Sequence, residues 1–214
     1  MLRRGSLDDA EKAFERASER GEPRLLEQRN LSSIRALNIA REGNTEGAVA
    51  SLRAAIATYP EDRVQESNSL AWRFAEASVS RTLENWNVRP EDEERVRLAL
   101  EALVEEAVCM AEYAVERDPQ ATHWNTLGAS RYRAGDLEGS LHDFSKSMEL
   151  KGGGNADDGF FVAMAHHRLG DERQARAYFE RAVDWVKENL NWTNAYELLA
   201  FRAEAAELLG IEGF

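Results

Sequence analysis

Four arginines recur at the same place in a repeated phrase of the sequence, each two residues before a glycine. They are Arg3, Arg41, Arg133 and Arg168. A guanidinium can bind a carboxylate through two parallel hydrogen bonds, so a row of such groups would suit an acidic peptide or a free carboxylate. A cation near the end of a helix also interacts favourably with the helix dipole, by about 0.3 to 1 kcal/mol. One side chain can serve both purposes, and the sequence leaves the choice between them open.

Other residues with chemical potential give no specific support for catalysis or for a cofactor. The adjacent His166 and His167 diverge by about 100° on a helix, so they do not chelate a metal from one face. The run 152–154 of three glycines lacks the preceding strand and the following Lys of a phosphate loop, which favours a loop between repeats. Cys109 lies in an apolar helical stretch and is predicted to be buried. We therefore expect no enzymatic activity, no metal and no cofactor.

The glycines after these arginines belong to four similar phrases, RRGSLDDAEKAF, AREGNTEGAVASL, YRAGDLEGSLHDF and HRLGDERQARAYF. Each glycine can end one helix in the left-handed conformation, and the residue after it can cap the next helix. The capping residues are Ser6, Asn44, Asp136 and Asp171. A small residue then precedes a large apolar one by four positions, which lets two helices approach closely. The phrase predicts a helix-turn-helix joint.

The spacing of these joints and one long stretch of sequence indicate a repeat family. Gly135 and Gly170 are 35 residues apart, close to the period of about 34 in tetratricopeptide repeats. Within ATHWNTLGASRYRAGDLEGSLHDFSKSMEL, residues 124, 127 and 128 match the W-x2-L-G signature of that family, and residues 140 and 144 stand for its A-x3-F. The chain thus resembles tetratricopeptide-repeat proteins. It departs from the pattern at Arg131, where an aromatic is usual, and at residue 152, where proline is usual.

The resemblance implies an all-α fold, a right-handed superhelix of antiparallel helix pairs with a C-terminal capping helix, in a single domain over residues 1–214. The units are expected at 1–20 (partial), 24–60, 64–119 with an insertion near 78–90, 121–152 and 156–187, with the capping helix at 192–210. Pro90 and the acidic residues after it predict the start of a long helix that runs to about Arg117. The capping helix is expected to bury an apolar face made by Trp192, Tyr196, Leu199, Ala203 and Ala206.

The incomplete first unit has a consequence of its own. Its helix, expected from about Ser6 to Arg20, has no full partner helix in the sequence and would expose Leu7, Phe14 and Ala17. Either the chain continues a longer array, or another molecule covers this face. The second possibility is an oligomer formed through the N-terminal end.

A closer resemblance covers roughly residues 65–211. It rests on NSLAW at 68–72, on HWNTLGASRYRAGD, on SMELKGGGNADDGFFVAMAHHRLGDERQARAYFERAVDWV and on FRAEAAELLG. These segments resemble the C-terminal repeat tails of large bacterial signalling proteins, including serine/threonine kinases. The resemblance implies a regulatory or docking segment, and the sequence itself has no glycine-rich loop, HRD or DFG motif of a kinase.

In tetratricopeptide proteins the first helix of each unit lines a concave groove, so the resemblance also implies candidate binding residues. On the two best units these are Asn125, Ala129, Tyr132, Arg133, Phe160, Met164, His167 and Arg168. On the two preceding units they are Leu37, Arg41, Asn68 and Trp72. The aromatic residues among them also fit a second interpretation, since an aromatic at helical spacing often belongs to the core.

Composition narrows the partners further. The formal net charge is −12, from 39 acidic and 27 basic residues. The electrostatic field of such a chain repels phosphate backbones and anionic lipid. We expect neither nucleic acid nor a membrane as partner. A single cysteine excludes an internal disulfide. No apolar run in the sequence is long enough for a membrane span or a signal peptide. We therefore expect a cytoplasmic protein. The favoured function is a scaffold that binds a protein or peptide in the groove. The alternative is a structural or oligomerisation module.

Overall fold

The computed structural model describes residues 25–57, 63–76, 78–189 and 195–212, together with Lys12 and Arg16. These ranges contain ten α-helices and no strand, which confirms the all-α helical-repeat fold. None of the helices described is long and apolar enough to cross a membrane. The helices are α1 (Leu25–Arg41), α2 (Thr45–Ala57), α3 (Arg63–Ala75), α4 (Val79–Trp86), α5 (Pro90–Arg117), α6 (Ala121–Ala134), α7 (Leu137–Lys151), α8 (Ala156–Arg168), α9 (Glu172–Asn189) and α10 (Ala195–Leu208).

Contacts divide the chain into two compact units, one up to Arg117 and one from Asp118 onward. In the first unit α1 packs on α2, α3 packs on α5, and α2 touches both α3 and α5. The long helix α5 begins at Pro90 and ends at Arg117, as the sequence predicts. Its buried side is apolar at Val96, Leu100 and Leu103.

The insertion of the first unit folds as the short helix α4. The Ser78 hydroxyl accepts a hydrogen bond from the Arg81 amide and caps the start of the helix. Asn87, in the left-handed conformation, ends it. Leu83 and Trp86 are buried, and α4 packs on α5. The insertion therefore adds to the core of this unit.

In the second unit α6 pairs with α7, α8 pairs with α9, and α10 packs on α8. The predicted joints are present in it. Gly135 and Gly170 have φ of 88° and 83°, values that favour glycine, and the Asp136 and Asp171 carboxylates accept hydrogen bonds from the amides three residues on. Gly128 is needed for another reason, since a Cβ there would lie 3.0 Å from the Phe144 ring.

Two expectations about packing are wrong. Cys109 is exposed rather than buried, because it lies on the outer side of α5, one turn from Glu106. The buried face of α10 is made by Leu198, Phe201, Ala205 and Leu209, together with the expected Ala206. Tyr196, Leu199 and Ala203 lie on the exposed side.

The physical reason for the second error is that α10 is apolar on two sides, so its periodicity does not select the side that packs. Several predicted features lie outside the described residues. They are Trp192, the first joint at Gly5, and the N-terminal helix with Leu7, Phe14 and Ala17. The expected oligomer surface at that end lies there too.

Candidate functional site

The predicted binding residues of the first unit lie on two neighbouring helices. Leu37 and Arg41 are one turn apart on α1, and Asn68 and Trp72 are one turn apart on α3. The two helices are in contact. Leu37, Arg41 and Trp72 are half-buried, and Asn68 is 9% exposed. We refer to these four residues as the first-unit face, and three of them keep surface that a ligand can touch.

Asn68 has an unusual hydrogen-bonding state. Its Oδ1 atom is buried and accepts no hydrogen bond from any described residue. Buried acceptors are nearly always satisfied, and an unsatisfied one costs about 1 to 3 kcal/mol. A bound N–H group would remove this cost. Asn68 is therefore the residue of the first-unit face with an unused acceptor, which a ligand reaches only if the side chain turns outward.

Charge of both signs lies beside Trp72 on α3. The guanidinium of Arg73 lies 3.6 Å from the Glu76 carboxylate. Both side chains keep contact with solvent, so the pair contributes roughly 0 to 1 kcal/mol. The cation that belongs to the first-unit face is Arg41, at the end of α1.

The corresponding residues of the second unit lie mainly in its core. Ala129, Phe160 and Met164 are fully buried. Tyr132 and Asn125 are nearly so. The reason is packing by helices that follow in the sequence, and these five side chains leave no surface for a ligand.

Phe161 is the centre of that packing. Its ring stacks on Phe144 at 5.6 Å between centroids and meets Phe201 of α10 at 5.0 Å and Tyr132 at 5.5 Å. Helices α6, α7, α8 and α10 thus share one aromatic cluster. On the other side of α8, Phe160 packs against Phe179 of α9 at 5.7 Å.

Arg133 makes the bidentate contact that the sequence suggests, but with a group of its own unit. Its guanidinium donates to both carboxylate oxygens of Glu204 on α10, with Nη2 2.9 Å from Oε2. It also lies 5.1 Å from the centroid of the Phe161 ring. The Arg133 side chain is 3% exposed. Glu204 therefore takes the place that an acidic ligand would need.

Arg168 and His167, at the end of α8, also contact groups of the second unit. Arg168 Nη1 donates to the Tyr132 carbonyl oxygen at 3.3 Å, and its guanidinium lies 5.2 Å from the Tyr132 ring centroid. Burial raises the pKa of the Tyr132 phenol. His167 Nδ1 lies 2.8 Å from Glu172 Oε1. Arg168 keeps exposed surface and His167 is half-buried.

Two further carboxylates, Asp157 and Asp158, lie at the start of α8. Asp158 is fully buried and accepts hydrogen bonds from Asn125 Nδ2 at 2.8 Å, Ser147 Oγ at 2.9 Å and Lys151 Nζ at 2.8 Å. It joins α6, α7 and α8. Its signal in the sequence is Asn155 three residues earlier, because the two residues form a reciprocal capping box.

The neighbouring Asp157 is strongly perturbed. Burial, followed by the charge of Asp158, raises the pKa of the Asp157 carboxyl to about 6. Glu197 of α10 acts in the same direction, and Lys151 opposes it. Within the described part of the chain, no group of three or more His, Cys, Asp or Glu side chains is arranged to hold a metal ion.

Comparison with known proteins supports the repeat. Residues 160–189, which cover most of α8 and all of α9, match the family model of the tetratricopeptide repeat. No curated protein sequence matches the chain significantly. Repeats of this type generally mediate contacts between proteins, and helical-repeat proteins of this kind are typically scaffolds without enzymatic activity.

Proposed function

We propose that this chain is a protein-interaction scaffold that binds a peptide segment of a partner on the first-unit face. The observation that carries the proposal is the buried, unsatisfied Oδ1 of Asn68, one turn from the half-buried Trp72. An apolar side chain of the peptide packs on Trp72, and a backbone N–H of the peptide donates to Asn68 Oδ1 once the amide group of Asn68 turns toward the surface.

Arg41 contributes a positive charge to this face. Arg41 follows Leu37 by one turn at the end of α1, and a guanidinium suits a carboxylate, from an acidic side chain or a free C-terminus. Arg133 and Arg168 are not part of the proposed site, since Glu204 and the Tyr132 carbonyl oxygen engage them. Their role is to hold the second unit together.

A docking role in a signalling assembly is part of the same proposal. The resemblance of residues 65–211 to repeat tails of bacterial signalling proteins supports it. The single cysteine and the net charge of −12 support a reducing, cytoplasmic setting and a protein partner rather than nucleic acid or lipid.

A peptide-display experiment tests the site. Peptides selected from a random displayed library on the full chain are measured by fluorescence anisotropy against the wild type, Asn68→Ala and Trp72→Ala. We expect Asn68→Ala to weaken binding about tenfold, the equivalent of one hydrogen bond of roughly 1.4 kcal/mol. Its midpoint of urea unfolding should stay the same or rise, because an unsatisfied buried acceptor is removed.

Asn85→Ala is the matched control, since it removes an exposed amide on α4 of the same unit. It should leave the affinity unchanged. The proposal fails if the library yields no peptide, or if the selected peptides bind Asn68→Ala and Trp72→Ala as tightly as the wild type. Arg41→Glu should reduce binding of acidic peptides more than of neutral ones.

A further inference from the structure

Helix α10 lies in the second unit at the place where the sequence predicts a ligand. The ring of Phe201 meets the Phe161 ring at 5.0 Å between centroids. Three residues later, the Glu204 carboxylate accepts two hydrogen bonds from the guanidinium of Arg133, a predicted binding residue. The Arg133 side chain is left only 3% exposed. An aromatic anchor followed by a carboxylate on the same side of a helix is what a bound acidic helix would offer to this groove.

A second guanidinium beside this contact has no carboxylate partner. Arg133 and Arg168 lie over the same Tyr132 ring, 5.4 and 5.2 Å from its centroid. Arg168 is exposed and donates to the Tyr132 carbonyl oxygen, but it forms no ion pair with any residue that the structure describes. Glu204 thus neutralises one of two neighbouring cations. A helix that brought two carboxylates to this place would neutralise both.

The start of α10 makes an unfavourable contact with α8. Burial, then the charge of Asp158 and that of Glu197 on α10, raise the pKa of the Asp157 carboxyl to about 6, and Lys151 opposes them. At neutral pH Asp157 is therefore mainly ionised and is repelled by Glu197. A helix without an acid at the position of Glu197 would avoid this repulsion.

We infer that α10 is an internal competitor in the groove of the second unit and that an acidic amphipathic helix of a partner protein displaces it. The partner helix carries an aromatic residue, a carboxylate three residues later for Arg133 and a further carboxylate for Arg168. It has no acid where α10 has Glu197. Each of the last two differences favours the partner over α10. The inference goes beyond the proposed function, because it uses none of the first-unit face.

The attachment of α10 to the chain determines the affinity to expect. A tethered competitor acts at an effective concentration that reaches the millimolar range. The wild type should therefore bind an isolated helix weakly, and a variant that releases α10 should bind it more tightly. The net charge of −12 opposes an acidic ligand little at about 0.15 M salt, since charges more than about 8 Å apart are then largely screened.

Synthetic helices measure this competition. The first probe is a fluorescent, capped peptide of residues 195–209, and the second is the same peptide with Glu204→Gln. Both are titrated by fluorescence anisotropy with the full chain and with its variant Glu204→Arg, which places a cation against Arg133. The first peptide should bind the variant at least about tenfold more tightly than the wild type. The second peptide should lose most of that gain.

Two further probes test the chemistry of the partner. A peptide with Glu197→Gln should bind the opened variant more tightly than the first peptide, because Asp157 no longer repels it. Peptides with one added Glu at an exposed position are then compared on the same variant. The tightest of them should lose its advantage when Arg168→Gln is added to the chain.

Glu207→Arg is the matched control, since it makes the same change of charge at an exposed position one turn beyond Glu204. It should bind the first peptide as weakly as the wild type does. Hydrogen exchange provides a measurement on the wild type itself, independent of how well the opened variant folds. A saturating amount of the first peptide should accelerate exchange of the α10 amides and leave those of α7 unchanged.

Four results overturn the inference. Equal affinity of the first peptide for the wild type, Glu207→Arg and Glu204→Arg shows that α10 blocks nothing. Equal binding of the Glu204→Gln peptide shows that Arg133 is not recognised. Peptide binding that leaves the hydrogen exchange of α10 unchanged places the peptide on another surface. A wild-type dimer in light scattering that Glu204→Arg abolishes assigns the groove to α10 of a second copy.

Discussion

Asp157 and Asp158 are adjacent in sequence and differ in their surroundings. Asp158 is fully buried, but three side-chain donors compensate its charge. Asp157 has one side-chain donor, Asn155 Nδ2 at 3.1 Å. Its charge is poorly compensated, which is why burial and Asp158 together raise its pKa to about 6.

This difference predicts a pH dependence of stability. The folded state binds the Asp157 proton more tightly than the unfolded state, where the pKa is near 3.8. The stabilisation by this proton is therefore fully present below about pH 4 and is lost as the pH rises through about 6. At pH 7.5 the free energy of unfolding of Asp157→Asn, measured by urea titration, should exceed that of the wild type by about 1 to 3 kcal/mol. This difference should vanish near pH 4.

The control is Glu180→Gln, which removes an exposed carboxylate on α9. Its free energy of unfolding should differ little from that of the wild type at both pH values. An advantage of Asp157→Asn that stays constant between pH 4 and pH 7.5 would contradict the perturbed pKa and assign the effect to packing.

At the scale of elements, the position of α10 depends on one ion pair that is mostly buried. Arg133 at the end of α6 and Glu204 in the middle of α10 are joined by two hydrogen bonds. Removing one partner leaves the other charge partly buried and uncompensated, which typically costs several kcal/mol. Phe201 beside it supplies the apolar part of the same contact.

A double-mutant cycle measures this contact. Arg133→Ala should lower the free energy of unfolding by about 3 kcal/mol, and the coupling with Glu204→Ala should be about 1 to 3 kcal/mol. Amide hydrogen exchange in α10 should accelerate more than in α7. Arg173→Ala, an exposed cation on α9, should have little effect. Additive losses in the double mutant would show that the two residues act independently.

At the scale of the whole molecule, each of the two units has a core of its own. The second unit contains fully buried phenylalanines from α7, α8, α9 and α10. The first is organised around α5, which packs against each of the other four helices of its unit. A segment with its own core is expected to fold by itself.

A fragment of residues 118–214 should therefore be helical and unfold in one cooperative transition. Circular dichroism followed through a urea titration, with hydrogen exchange compared between fragment and full chain, checks this. The same fragment carrying Phe161→Ala should lose about 3 to 5 kcal/mol, because that ring is in contact with three other aromatic rings. A broad, non-cooperative loss of helix in the unmodified fragment would contradict an independent core.

Much of the local structure follows from the sequence. The joint at Gly135 and Asp136 and the joint at Gly170 and Asp171 lie where the repeated phrase predicts them. The long helix begins at Pro90 because proline and the acidic residues after it suit a first turn. These features depend on neighbours within one or two turns. Residues that are close in sequence carry the information for them.

Candidate binding residues are harder to predict from the sequence, because a groove position and a core position have the same helical spacing. Phe160 and Met164 are buried, whereas Trp72 at a corresponding position is half-buried. What separates them is the packing of helices that come later in the chain. No pattern within a single helix contains that information.

The sequence by itself thus determined the helices, their joints and the repeat, since these depend on backbone preferences and local capping. Only the tertiary structure decided which of the two apolar faces of α10 packs. It also decided which carboxylate binds Arg133, since Glu204 lies 71 positions later in the sequence. The reason is that hydrophobic attraction is not directional, so two equally apolar faces are alike until the shape of the neighbouring helices selects one.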